Sequence, residues 1–444
     1  VTASAPQTDG AEDRAELPRG FRAGAAKAGI KASGNADLSV ILVDGPDPAS
    51  VAATFTTNRV AAAPVLVSRR HLEVSSGSER YGTARAFICT SGCANAATGD
   101  AGVKDQEALA HALASAAGCA PEDTLAMSTG LIGTRLPVDR IVPHLGELVA
   151  SGLATAPDGL ADVARAMCTT DSRPKWATAT VELPDGSAAL TVSGVAKGVG
   201  MIHPRMATML SFVLTDARVA PDLLSEILRP VVAATWNQIS VDGDTSTNDT
   251  VFLAASGAAS AQPIERGTPE AEALLLGVAA VARSLARQQA SDGEGATTLI
   301  SCTVTGAIDD FEARAVARSV VSSSLLKAAV HGRDPNWGRV LSAAGNAHLP
   351  DAAVLELGGM DSAIAGARAG TPVEIDVPRL RVSICGTLVF AGEPVPFDPA
   401  VVRQQMDAAE ISIEVDLGAG DGAGEAFGCD LTEAYVVENS AYST

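Results

Sequence analysis

The sequence lacks the features that most directly mark a membrane, metal or nucleotide-binding protein. Among its 444 residues no apolar run approaches the ~18 residues of a spanning helix, so no membrane segment is expected. The seven cysteines, at 89, 93, 119, 168, 302, 385 and 429, form no Cys-x-x-Cys pair. Cys89 and Cys93 have no further His or Cys at zinc spacing, so the expectation is reduced thiols lining a cytoplasmic protein's core. The six histidines include no pair at i+3 or i+4, and no metal site is expected. There is no Gly-x-x-x-x-Gly-Lys-Ser/Thr phosphate loop, no Gly-x-Ser-x-Gly elbow and no His-Glu-x-x-His helix. The acidic run from Asp242 to Ser246 is not an EF-hand, because Thr247 and Leu253 stand where that loop needs glycine and a carboxylate. Positive charge is also scarce: 32 Lys and Arg face 52 Asp and Glu, a net charge of −20. Such a surface repels phosphate, which argues against nucleic acid or an anionic membrane as partner. The first residues carry Asp9, Glu12, Asp13 and Glu16 without an apolar stretch, and residues 1–18 are expected to form a disordered tail rather than a secretory signal.

What is present is a globular composition, 47% hydrophobic and 19% charged, in a chain long enough for about three domains. Short branched-apolar runs at 37–43, 84–89, 299–305, 373–377, 380–385 and 411–417 predict strands. Helical spacing predicts helices over 104–117, 138–150 and 270–291. The last has Thr268 as its cap, Pro269 in its first turn, and Leu274, Val278, Val281 and Leu285 along one face. The glycines at 418, 420, 422 and 424 predict a loop. Strands and helices mixed without strict βα alternation favour an α/β layered sandwich over a barrel.

One segment stands apart. Lys197-Gly198-Val199-Gly200-Met201-Ile202-His203-Pro204-Arg205-Met206-Ala207-Thr208 runs through glycines and a proline into an apolar strand that continues to Leu214. Its plain reading is a loop entering the core, with methionines filling gaps. Its chemical reading makes Thr208 a latent nucleophile. A threonine hydroxyl is weak without a base, but a cut before Thr208 would free an α-amine with a reference pKa of ~7.7–8.0 to serve as one.

This segment closely resembles the autoproteolysis site of the ornithine acetyltransferases (glutamate N-acetyltransferases), N-terminal-nucleophile enzymes cut at an Ala-Thr bond. Further blocks resemble the same family in the same order: Met127 to Gly133, Met167 to Asp171, Ser240 to Asp249, Asp334 to Arg339 and Glu438 to Thr444. The resemblance runs from about Pro18 to Thr444. It departs at Ser172, where threonine is common, and at Cys168.

The resemblance implies an N-terminal-nucleophile-like α/β sandwich, cut between Ala207 and Thr208 into an α chain (19–207) and a β chain (208–444) that assemble as a heterotetramer. It implies Thr208 as nucleophile, and Thr129 and Gly130 as oxyanion hole. Substrate contacts would come from Thr169, Lys197, Thr208, Glu294, Asn439 and Thr444. The reaction implied moves acetyl from N2-acetyl-L-ornithine to L-glutamate through an acetyl-threonine, in the cytoplasm and without cofactor or metal. Some family members also take acetyl-CoA as donor, and the residues leave that open. They also leave open a hydrolase or specialised acyltransferase, which would use another acceptor, and an uncut, non-catalytic relative. Across the expected cut the charge is uneven: residues 1–207 carry 18 basic and 21 acidic side chains, and residues 208–444 carry 14 and 31.

Overall fold

A computed structural model describes residues 10–184, 186, 189–203, 209–259 and 262–440. Two sheets stack at its centre. The first is four-stranded, in the order Phe21–Ala26, Leu38–Val43, Ala86–Cys93 and Thr124–Leu131. The second is six-stranded, in the order Tyr81–Ala84, Ala49–Phe55, Thr250–Ala255, Leu210–Thr215, Ala189–Lys197 and Lys175–Glu182.

The near-continuous apolar character of these strands follows from their having both faces covered. In Leu210–Thr215, Phe212 packs between the sheets with Phe87, Phe252 and Phe55, while Val213 points the other way. That outer face packs on the helices Pro221–Ala234 and Pro269–Ser291. The outer face of the first sheet packs on Gly99–Ala117 and Val138–Glu147 through Leu109, Leu113, Ile141 and Leu145. Helix, sheet, sheet and helix make the layered α/β sandwich that the sequence predicts. Among the described residues no helix is long and apolar enough to cross a membrane.

A third sheet, in the order Ile239–Ser240, Gly422–Cys429, Leu299–Ala307, Glu410–Asp416, Arg381–Ile384 and Thr387–Ala391, has its own core with the helix Asp310–Ser322. Arg283 and Arg287 of the helix Pro269–Ser291 tie it to the sandwich through Glu425 (2.5 Å) and Glu410 (2.6 Å).

Four expectations are corrected. The described part of the supposed tail, residues 10–18, is packed: Glu12 exchanges backbone hydrogen bonds with Thr178, and Leu17 is buried. The run 84–89 belongs to two strands in different sheets, parted at Arg85, whose N–H and C=O bond Asp123 and Val43 instead. Residues 373–377 form no strand. Pro372 precedes them, and Val373 is buried as a single anchor whose N–H donates to Ala347. Gly422 and Gly424 lie in a strand rather than a loop, because there the sheet meets the helix Asp310–Ser322 so closely that a Cβ on Gly424 would sit 2.7 Å from the Arg314 nitrogen.

Candidate active site

The ends of strands from both central sheets meet at one cavity of about 370 Å³. Thr129 and Gly130 close the strand Thr124–Leu131, which runs parallel to Ala86–Cys93 with Gly130 opposite Gly92. Gly130 has φ +128°, and a Cβ there would lie 2.3 Å from the Gly92 carbonyl carbon. Only glycine allows this turn, which brings the backbone to the cavity wall. From the second sheet come Lys197, the last residue of Ala189–Lys197, and Leu210, paired opposite it.

Lys197 is 8% exposed, and its Nζ donates to Thr169 Oγ1 at 2.7 Å and to Thr129 Oγ1 at 3.2 Å. Behind it Asp171 stands 3.8 Å away and also receives the Gly198 N–H. The buried Lys175 bridges Asp171 (2.7 Å) and Asp292 (2.6 Å). Burial alone would raise the Asp171 carboxyl, but the Lys197 and Lys175 ammoniums and the Gly198 N–H outweigh it and hold it at about 2.

Across the cavity Glu294 accepts from Thr170 Oγ1 (2.8 Å) and from Asn439 Nδ2 (2.9 Å). Its carboxylate lies against Gly200, where any Cβ would come within 2.2 Å of it. Adjacent threonines, 169 and 170, therefore hold the cation on one side and the anion on the other. That suits a small molecule carrying both charges.

Asn248, a buried residue of the cavity wall, donates to Ala94 O (2.7 Å) and Ser128 O (2.8 Å) and so joins the start of a strand in the second sheet to the first. Met209 and Asp249 complete the wall. Thus Thr129, Gly130, Thr169, Lys197, Glu294 and Asn439, singled out from sequence, line one cavity. Ala207, Thr208 and Thr444 lie outside the described residues. Thr170, Asp171, Asn248 and Asp249 were not singled out as site residues. Their signal was membership of the blocks 167–171 and 240–249, without anything in the spacing to say which side chains turn inward. A second cavity, about 670 Å³ and lined among others by Arg314, Ser319 and Asn346, shares none of these residues.

The sequence pattern described as the ArgJ family matches residues 22–444. The chain belongs to the ArgJ family. ArgJ proteins from Thermus thermophilus and a Synechococcus, each called an arginine biosynthesis bifunctional protein, are 44% and 42% identical to it. Each alignment covers 96% of this chain, and 99% and 96% of the relative. A solved structure, the ornithine acetyltransferase of Mycobacterium tuberculosis complexed with ornithine, is 38% identical over 44% of this chain and 98% of that one, with a TM-score of 0.40. The ArgJ match spans every cavity residue named above.

Proposed function

We propose that this ArgJ-family enzyme is a self-cleaving acetyltransferase of arginine biosynthesis, moving acetyl from N2-acetyl-L-ornithine to L-glutamate through Thr208. The observation that carries the reading is convergence. Six residues from separate parts of the chain surround one cavity that Met209, next in sequence to Thr208, also lines. The cut between Ala207 and Thr208 divides the chain into an α part (19–207) and a β part (208–444). A heterotetramer and a cytoplasmic location belong to the same reading.

In the first half-reaction Thr208 Oγ bonds to the acetyl carbonyl carbon, and its α-amine takes the hydroxyl proton. Thr129 Oγ1 and the Gly130 N–H donate to the carbonyl oxygen as it gains charge. The C–N bond to ornithine breaks, and the leaving nitrogen receives that proton. In the second half-reaction the glutamate amine attacks the acetyl-threonine, forming C–N and breaking C–Oγ, and its proton returns to Oγ through the same amine. Lys197 serves the substrate carboxylate. Glu294 serves the ornithine side-chain ammonium, and Thr169, Asn439 and Thr444 add polar contacts. Two half-reactions through one ester give ping-pong kinetics. The relatives' designation as bifunctional supports a second route, acetylation of glutamate from acetyl-CoA.

Mass spectrometry of the purified protein tests the mechanism. The expected result is fragments ending at Ala207 and beginning at Thr208, with Thr208→Ala remaining one inactive chain. A Thr208→Ala protein that still appears as two chains would refute it.

A further inference from the structure

The second cavity, about 670 Å³, is built on one face of the helix Asp310–Ser322. Phe311, Arg314, Ala315, Arg318, Ser319 and Ser322 line it, at the three- and four-residue spacing of a single helical stripe. The opposite wall comes from the stretch between Ser342 and Leu355, which includes the helix Ala352–Leu357. Among the described residues its ionisable lining is Arg314, Arg318, His203, His348 and Asp351. Two arginines against one carboxylate reverse the sign of a chain whose net charge is −20.

Arg314 is the informative residue. It is half-buried, and its guanidinium makes no hydrogen bond or ion pair among the described residues. Its Cζ lies 4.8 Å from the centre of the Phe311 ring. Beside its stem the strand Gly422–Cys429 passes so close that a Cβ on Gly424 would sit 2.7 Å from Arg314 Cγ. Stacking on a ring occupies the flat face of a guanidinium and leaves its N–H edge free to meet a pair of oxygens. Burial lowers the pKa of this guanidinium, and the charges of Asp310 and Asp309 oppose the shift without cancelling it. Both carboxylates are engaged elsewhere: Asp310 Oδ1 accepts from the Ala423 N–H at 2.9 Å, and Asp309 accepts from Arg368 and from the Glu312 N–H. Ser319 and Ser322 already donate to Ala343 O and Arg318 O, each at 2.6 Å. Across the cavity the exposed Ser342 and Asn346 side chains have no hydrogen bond among the described residues. The three unfilled side chains, Arg314, Ser342 and Asn346, can all donate.

We propose that this cavity is a second ligand site, separate from the catalytic one, for a small organic anion. Arg314 donates to the oxygens of its phosphate or carboxylate group, and Arg318, one turn along the helix, adds positive charge. Ser342 and Asn346 donate from the opposite wall. Phe311, Ala315, Leu349 and Val354 receive the apolar body attached to the charged group. A volume of this size suits such a molecule, with a body and a headgroup, better than a free inorganic ion. The stacked and packed Arg314 side chain loses little freedom on binding, which favours affinity. The two cavities share no lining residue, so both can be filled at once.

Isothermal titration calorimetry on the purified protein tests this with three probes: phenyl phosphate, phenylacetate and inorganic phosphate. The expected result is saturable binding of phenyl phosphate or phenylacetate, one per chain, about tenfold tighter than inorganic phosphate. The tighter of the two aromatic probes tells whether the charged group is a phosphate ester or a carboxylate. Arg314→Gln, checked for the wild-type melting temperature, should weaken that binding about tenfold, as loss of a hydrogen bond between charged groups does. If Arg314→Gln does not fold, Ser342→Glu decides, because it sets a negative charge in the same cavity from an exposed position: weaker binding supports the site and unchanged binding overturns it. Neither aromatic probe saturating the wild type by about 10 mM would overturn the proposal. Aromatic probes held no tighter than inorganic phosphate would overturn it too, as attraction of an adventitious ion only. So would binding that a folded Arg314→Gln leaves unchanged, which would put the probe elsewhere on the protein.

Discussion

Asp171 carries a negative charge in the interior because four donors reach it: Lys175 at 2.7 Å, the Gly198 N–H at 2.9 Å, the Thr169 N–H at 3.0 Å and, further off, Lys197 at 3.8 Å. Removing one member of such a group leaves the others buried and under-compensated, which costs more than the group itself contributes. Asp171→Asn is therefore expected to lower stability by about 3 kcal/mol at neutral pH, the low end of the usual cost because Lys175 keeps Asp292. The pH dependence follows from the direction of the shift. A carboxyl held at about 2 in the folded protein contributes fully above its unfolded value of ~3.9, and that contribution is lost as pH falls through about 2. Urea melts from pH 7 down to pH 2 should show the two proteins converging at the acid end. Equal stability at pH 7 would refute the account. In the sequence Asp171 could be placed in a family block but given no role. Two of its partners, Lys197 and Gly198, lie 26 and 27 positions away and are brought to it only by the fold.

Elements whose limits are set by local chemistry were legible beforehand. The helix Pro269–Ser291 begins where Thr268 and Pro269 predict, with Thr268 Oγ1 accepting from the Ala271 N–H at 3.3 Å, and it buries the predicted face. Elements set by contacts were not legible. The strand Gly422–Cys429 uses glycines because a helix crosses them, and Gly130 has to be glycine because Gly92 lies opposite. The loop after Ala189–Lys197 offers a test at this scale. Gly200 abuts the Glu294 carboxylate, the end of a flexible side chain, so an added methyl should move that carboxylate rather than the backbone. Gly200→Ala is expected to leave self-cleavage intact and to raise KM for acetylornithine about tenfold, the value of one hydrogen bond to a charged group. Steady-state kinetics on the cut protein would read this, and an unchanged KM would detach Glu294 from substrate binding.

At the scale of the molecule, the proposed cut runs through the middle of a sheet rather than between domains. In the six-stranded sheet the central pair, Thr250–Ala255 and Leu210–Thr215, comes from after residue 208, while the two strands on either side come from before it. Leu210–Thr215 makes six paired positions with Ala189–Lys197, and Thr250–Ala255 makes six with Ala49–Phe55. Phe212 and Phe252 of the later part pack on Phe87 of the earlier part. Parting the two chains would expose that core, so they should stay together for as long as the sheet does. Length alone suggested about three domains; the sandwich and the third sheet were not separable from composition, because no linker divides them in sequence. Charge supplies the measurement. Residues 1–207 carry a net −3 and residues 208–444 a net −17, counted from their acidic and basic side chains. The cut protein should therefore elute from an anion exchanger as one species under native conditions. In concentrated urea it should resolve into two, the earlier part leaving at lower salt. Two native peaks would mean that the ladder and the phenylalanine cluster do not hold the chains together.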